Sequence, residues 1–294
     1  MEEIIYLEIP SLHEPCLILG FDGWPNAAEI SSYGVLHLIE KFEAKRFAFI
    51  PIENFYQYSA SRPVAHIREG KIQDLKFPGY HFYYSKCSPP HDLIFFHGAE
   101  PHFRWSAFAN LIVNLAERFG VSKIFTLGGT YDYIPHTAPP VVSAVFNHDE
   151  LKKELVREGV GLTEYNGPIS IHTFILEAAK KREMKAISLW GHAPHYLQTR
   201  NVKATCSVLK RLLHLMGIEA DLSDLEMAGD YFEQQISQLV ERDPKLREMI
   251  SKLEEAYRKA ESSELSRRNG KKEEKVIYMQ AFLKRPEDEE KNED

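Results

Sequence analysis

Hydrophobic positions along this chain fall into two alternating kinds of segment. Short apolar runs rich in β-branched and aromatic residues recur at 16–20, 47–51, 93–97, 124–128, 141–146 and 187–190, the pattern of strands buried on both faces. Between several of them, 30–42, 103–119, 151–157, 169–181 and 202–216 repeat their apolar residues at helical spacing, so each presents one apolar stripe. Strands alternating with helices predict a layered α/β sandwich around a mostly parallel sheet.

Two stretches depart from the alternation. Residues 64–68 and 72–77 flank Glu69-Gly70-Lys71 and read as a hairpin around a glycine turn, so antiparallel strands are expected to join the sheet. After Gly217, Leu222, Leu225, Met227, Phe232, Ile236, Leu239 and Val240, and then Leu246, Met249, Ile250, Leu253 and Tyr257, predict two amphipathic helices, with Pro244 placed to begin the second. The expected organisation is an α/β core over 1–217, a helical appendage over 218–262 and a flexible charged tail over 263–294. An apolar octet at 276–283 interrupts that tail and is expected to dock on the body or a neighbouring subunit.

Composition narrows the class. With 44% hydrophobic and 27% charged residues, the chain has the make-up of an ordinary globular protein. The net charge is -7, so the molecule as a whole lacks the positive field that nucleic acid usually needs; the acid-rich segment 287–294 carries most of that charge, and the nearly balanced body says little about its partner. Cys16, Cys87 and Cys206 are far apart and form no C-x-x-C pair, which argues against a disulfide framework and for a reducing compartment. No basic, apolar leader and no run of about 18 apolar residues occurs; no membrane association and a cytoplasmic location are expected.

In open α/β sheets ligands bind outside the carboxyl ends of the strands, and the polar residues gather in the segments expected there. The candidates are Asp22, Trp24, Asn26 and Glu29 after the first long strand; Glu100 and Trp105 after the third; Gly128, Gly129 and His136 after the fourth; and Trp190, His192, His195 and Tyr196 after the last. Arg62, Tyr165 and Gly167 join them from other loops. Such residues line a mixed polar and aromatic cleft, or else Asp22 and Asn26 cap a helix, the glycines make turns and the tryptophans fill the core. Pro194 between His192 and His195 disfavours a helical metal pair. There is no G-x-S-x-G elbow and no phosphate-cradling glycine loop, so neither metal nor cofactor is expected.

The strings GFDGWPNAAE, SASRPVAHIREG, FFHGAEPHFRW, LGGTYDYIPHT, EYNGPISI and SLWGHAPHY, in that order, resemble the proteasome assembly chaperone type 2 family in its archaeal and bacterial branch. The resemblance covers 14–215, and the stretch to 262 resembles the extra C-terminal helices of longer members. It implies a three-layer α/β/α sandwich with a mixed sheet, similar to nucleoside phosphorylases and hydrolases, assembled as homo-oligomers, often trimers, with no established reaction. Archaeal relatives that bind proteasomes are thought to use a C-terminal hydrophobic-tyrosine-any tripeptide. Here the last residues are Asn292-Glu293-Asp294, and the nearest imitation, Ile277-Tyr278-Met279, is internal.

Two functions follow as expectations. The first is an oligomeric protein-binding, assembly-chaperone-like role without catalysis. The alternative is a nucleoside-like small-molecule hydrolase or phosphorylase in the strand-end cleft. It would use Asp22, Glu29 or Glu100 as acid or base, His136, His192 or His195 as proton carrier, and Arg62, Arg104 or Arg200 as anion contact.

Overall fold

The computed structural model describes residues 4–86, 91–268 and 276–278. Along the chain the strands are β1 (Ile5–Tyr6), β2 (Cys16–Asp22), β3 (Lys45–Ile50), β4 (Val64–Arg68), β5 (Lys71–Lys76), β6 (Tyr80–Ser85), β7 (Leu93–Ala99), β8 (Lys123–Asp132), β9 (Val142–Phe146), β10 (Gly161–Glu164), β11 (Ala186–Pro194) and β12 (Val276–Tyr278). The helices are α1 (Ile30–Lys41), α2 (Trp105–Arg118), α3 (Leu151–Arg157), α4 (Ile171–Lys180), α5 (Val202–Met216), α6 (Ser223–Arg242) and α7 (Pro244–Arg268).

All strands but β4 and β5 form one mixed sheet in the order β1-β3-β6-β7-β2-β8-β11-β9-β10-β12. Its centre, β7-β2-β8-β11, is parallel, so the carboxyl ends of those four strands meet at one rim. Antiparallel neighbours flank it: β6 on β7, and β9 on β11. The expected α/β/α sandwich is the observed one. Alternate residues of each central strand face opposite layers. Ile18, Phe125, Leu127, Ile187 and Leu189 pack with α1 and α5, whereas Leu17, Leu19, Phe21, Phe96 and Ile124 pack with α2 and α4.

The α2 side is packed with aromatic rings. Phe96 meets Phe21 and Phe82 at ring-centroid distances of 5.1 and 5.0 Å, and Phe108 meets Tyr80 at 5.0 Å. Fully burying one such ring stabilises the fold by about 1.5–3 kcal/mol, so this half of the sandwich is the anchor of the sheet.

Three sequence expectations are corrected. The hairpin over β4 and β5 forms a two-stranded sheet of its own and does not join the main sheet; the members that run against the parallel centre are β1, β6, β9, β10 and β12, and β1, β6 and β10 escaped the hydrophobic pattern. Secondly, Gly20–Asp22, Gly128–Asp132 and Trp190–Pro194, read as loops, are the ends of β2, β8 and β11, because each continues the backbone pairing of its neighbours past the last apolar residue. Thirdly, α7 begins at Pro244 as expected but runs to Arg268, beyond the expected boundary at 262; the remaining tail lies outside the described residues except 276–278. Ile277 and Tyr278 of the internal tripeptide sit in β12, paired in parallel with Thr163 and Glu164 of β10, so the described part of the octet docks on the body, one of the two placements expected. Residues 279–283 of the octet, and Cys87, lie outside the described residues.

Candidate functional site

At the rim where β7, β2 and β8 end, the polar side chains hold backbone. Asn26 Oδ1 accepts from the Ser32 N–H at 3.0 Å and its Nδ2 donates to Ser32 Oγ at 2.8 Å, which pins the entry to α1. Glu100 Oε1 accepts from the Ile171 N–H at 2.9 Å and, with Ser170, whose hydroxyl accepts from the His172 N–H at 3.3 Å, caps the first turn of α4. Burial pushes the Glu100 carboxyl up, and the Ile171 and Trp24 N–H groups only partly offset it. Asp22 moves the other way. Burial would raise it, but His97, whose Nε2 lies 3.3 Å from Oδ2, and the Ser32 hydroxyl outweigh that and hold it below the usual carboxylate range.

Two glycines at this rim are required by close approach. A Cβ on Gly128 would lie 2.6 Å from the Trp190 ring, and one on Gly129 would lie 2.2 Å from the Ala27 carbonyl oxygen. Gly129 also donates its N–H to the Pro25 carbonyl at 2.8 Å, so the turn after β2 lies directly against β8.

Beside this rim, on the α4 side of the sheet, the strands turn from apolar to polar. Facing α4 are Thr126 and Thr130 of β8, Ser188, Trp190 and His192 of β11, and Ser143 of β9, while the residues alternating with them pack apolar against the other layer. Two hydrogen-bonded chains run through this strip. Thr126 Oγ1 donates to Ser188 Oγ at 2.7 Å, and Ser188 Oγ lies 3.1 Å from His172 Nδ1. A serine oxygen that accepts from Thr126 keeps a second lone pair, so Ser188 donates to Nδ1 in one His172 tautomer and accepts from it in the other; the remaining ring nitrogen is Nε2. That atom is buried and has no partner. Burial lowers the His172 pKa to about 3, so the ring is uncharged at neutral pH.

The second chain joins three elements. His192 Nδ1 lies 2.8 Å from Asp132 Oδ2, and His192 Nε2 lies 2.9 Å from Ser143 Oγ. A carboxylate only accepts, so Asp132 fixes the proton on Nδ1 and leaves the Nε2 lone pair to accept the Ser143 hydroxyl proton. Ser143 and His192 are buried, at 3% and 2% exposure.

Ser143 lines a cavity with about 630 Å³ of empty space, the open solvent at its mouth included. Trp24, Trp190 and Tyr165 give it aromatic walls; Thr130, Ser143 and Thr163 add hydroxyls; and among the described residues no Asp, Glu, Lys or Arg lines it. Trp24 is 58% exposed and meets Trp190 edge-on at 6.5 Å. Thr163 Oγ1 is buried without a partner. Behind His192 lies a smaller cavity of about 420 Å³ between the segment after β8, α5 and α6, lined by His136, Lys203 and Glu233 among others.

These features have counterparts in known proteins. A family model described as the PAC2 family matches residues 20–240. The chain belongs to the PAC2 family. No curated protein matches it significantly. A solved PAC2 family protein from Streptomyces avermitilis is 28% identical, with a TM-score of 0.72, over 80% of this chain and 98% of that one. A proteasome-assembly chaperone homologue from Mycobacterium tuberculosis is 27% identical, with a TM-score of 0.71, over 79% and 98%. A further Mycobacterium tuberculosis protein of unknown function is 20% identical and shares the fold at a TM-score of 0.84 over 94% of this chain and 93% of its own.

Within this PAC2 chain the sequence candidates divide into groups. Trp24, Tyr165, Trp190 and His192 come together around the larger cavity or its relay; Asp22, Asn26, Glu100, Gly128 and Gly129 form the adjoining rim. Gly167 belongs to the turn in which the Tyr165 hydroxyl donates to the Pro168 carbonyl at 2.9 Å. His136, His195 and Tyr196 form a separate cluster: the His136 Nδ1 and Tyr196 Oη lie 2.8 Å apart, His136 Nε2 faces Ser237 of α6 at 3.2 Å, and the His195 ring lies 4.3 Å from Tyr133. Burial raises Tyr196 to about 12 and lowers His136.

Three candidates stand apart from the cavity. Trp105 packs on Phe174 and donates to the Pro101 carbonyl at 2.6 Å. Glu29 pairs with Arg200 at 2.6 Å, and Arg62 is exposed beside the hairpin. Ser143, Asp132, His172, Thr163 and Ser188 are not among the sequence candidates. The available signal was the lone hydroxyl residue inside each apolar strand, since a buried polar group is the informative one. Among the described residues no three His, Cys, Asp or Glu side chains could hold a metal ion, and no helix is long and apolar enough to cross a membrane.

Proposed function

We propose that this PAC2 chain is a chaperone-like protein that binds other polypeptides as a homo-oligomer, a trimer being the expected form. The 27% identity to a structure described as a proteasome-assembly chaperone homologue supports the role. The observation within this molecule that favours it is the hairpin of β4 and β5. Val64, Ile67, Ile72 and Phe77 on it are each at least 58% exposed, and it pairs with no other strand.

A two-stranded hairpin is at best marginally stable alone in water, so apolar side chains on both its strands mark a contact surface. Arg62, Arg68, Lys71 and Lys76 outnumber Glu69 and Asp74 there, while the chain as a whole carries -7. A basic arm on an acidic protein suits another copy of that protein.

Light scattering on the eluting full chain tests this reading. The expected mass is three times 33.9 kDa, falling to the monomer in an Ile67→Asp, Ile72→Asp double variant whose melting temperature is otherwise retained. A monomeric parent, or a variant that assembles unchanged, contradicts it.

A further inference from the structure

The relay of Ser143, His192 and Asp132 joins a nucleophile, a base and a group that orients the base, at 2.9 and 2.8 Å. That is the set of contacts by which a serine hydroxyl is activated on unrelated folds, recognised by geometry and not by position in the chain. The three residues come from β9, β11 and the end of β8, and β11 pairs with both of the others, so the sheet itself fixes their spacing.

The surroundings fit acyl transfer. Of the three relay residues, Ser143 is the one on the wall of the larger cavity. His192 is 2% exposed and borders the smaller cavity behind it, and this burial strengthens its bond to Asp132. Thr163, on the same cavity wall as Ser143, has a hydroxyl without a partner and is the donor available to a developing oxyanion. Among the described residues the lining carries no Asp, Glu, Lys or Arg and three large aromatic side chains, so the acyl group that suits it is neutral and apolar, aromatic or branched.

We propose that Ser143 is a catalytic nucleophile for hydrolysis of neutral, apolar carboxylic esters in this cavity. Ser143 Oγ bonds to the ester carbonyl carbon as its proton passes to His192 Nε2. The carbon–oxygen bond to the alcohol then breaks, and His192 returns the proton to the departing alkoxide. Water from solvent attacks the acyl-serine, giving its proton to His192, and Ser143 Oγ leaves as the acid forms and takes that proton back. The net change is ester plus water to acid plus alcohol. This activity is independent of the oligomer reading, because covalent capture and particle mass are measured separately.

The test incubates the full chain with a neutral alkyl fluorophosphonate, whose phosphorus is attacked by an activated serine with loss of fluoride, and locates the adduct by peptide mass spectrometry. The expected result is one adduct, on Ser143, absent in Ser143→Ala and formed at least about 100-fold more slowly in His192→Gln, the scale of a lost general base. Unfolding curves identify whether each variant is folded. The parent and Asp132→Asn give the same comparison if His192→Gln does not fold. No adduct on Ser143 under conditions that saturate a known serine hydrolase overturns the proposal, as does capture at the parental rate in a folded relay variant.

Discussion

The strand-end rim and the strip under α4 lie side by side on one sheet and use the same residue types differently. At the rim, Asn26 and Glu100 spend their polar atoms on the backbone of α1 and α4, and Gly128 and Gly129 allow neighbouring segments to touch. In the strip, Ser143, His192 and Asp132 bond to one another beside empty space, and His172 Nε2 and Thr163 Oγ1 have no partner. Native proteins pair nearly all their buried polar groups; His97 Nε2 at the rim also lacks a well-formed hydrogen bond but faces the Asp22 carboxylate at 3.3 Å, so the rim reads as scaffold and the strip as the place where something else is bound.

That contrast sets an order of expected effects. Gly129→Val drives a side chain into the Ala27 backbone and is expected to cost about 3 kcal/mol in denaturant unfolding, the upper end of overpacking; a loss under about 1 kcal/mol would mean that the rim yields. Next comes the strip's response to acid. The folded His172 has a pKa of about 3 against 6.5. A depressed histidine contributes stability that is fully present above pH 6.5 and is lost as pH falls toward the folded value, because the unfolded chain binds the proton first. His172→Gln is expected to flatten the decline between pH 6.5 and 4 by roughly 2–3 kcal/mol. Burial lowers His37, His81 and His136 as well, so a slope remains; an unchanged slope would contradict the assignment.

Removing a cap should cost less. Asn26→Ala and Glu100→Ala are each expected to lower unfolding stability by about 1–2 kcal/mol, read from the denaturant midpoint at constant slope. The smallest effect belongs to Arg200→Gln. Its pair with Glu29 is half exposed on both sides, so a change within about 0.5 kcal/mol is expected, and a larger one would draw Glu29 back into the site.

How much of this was legible beforehand follows the same division. Six buried strands and all seven helices announced themselves by period, and α3 and α5 even at their ends, because continuous apolar runs and 3.6-residue stripes reflect burial directly. Short pieces such as β1 and β10 hold too few residues to leave a pattern. The rim was legible because Gly, Asp, Asn and Trp are conspicuous at strand ends. The strip was not: Ser143 sits in Val-Val-Ser-Ala-Val-Phe and Ser188 in Ala-Ile-Ser-Leu-Trp, where one hydroxyl hardly disturbs an apolar run. What unites Ser143, His192 and Asp132 is pairing between strands far apart in the chain, which no local window contains. The hairpin had clear turn chemistry, yet which strands it pairs with is not written in its own pattern.

The division between rim and strip is tested most directly by the rate at which a neutral fluorophosphonate captures Ser143 in two conservative variants. Asp132→Asn removes the carboxylate that orients His192, whereas Glu100→Gln keeps an acceptor for the Ile171 N–H. The expected outcome is a fall of about 100-fold or more in Asp132→Asn with Glu100→Gln within about twofold of the parent. Equal slowing in both variants, or none in Asp132→Asn, would contradict the account.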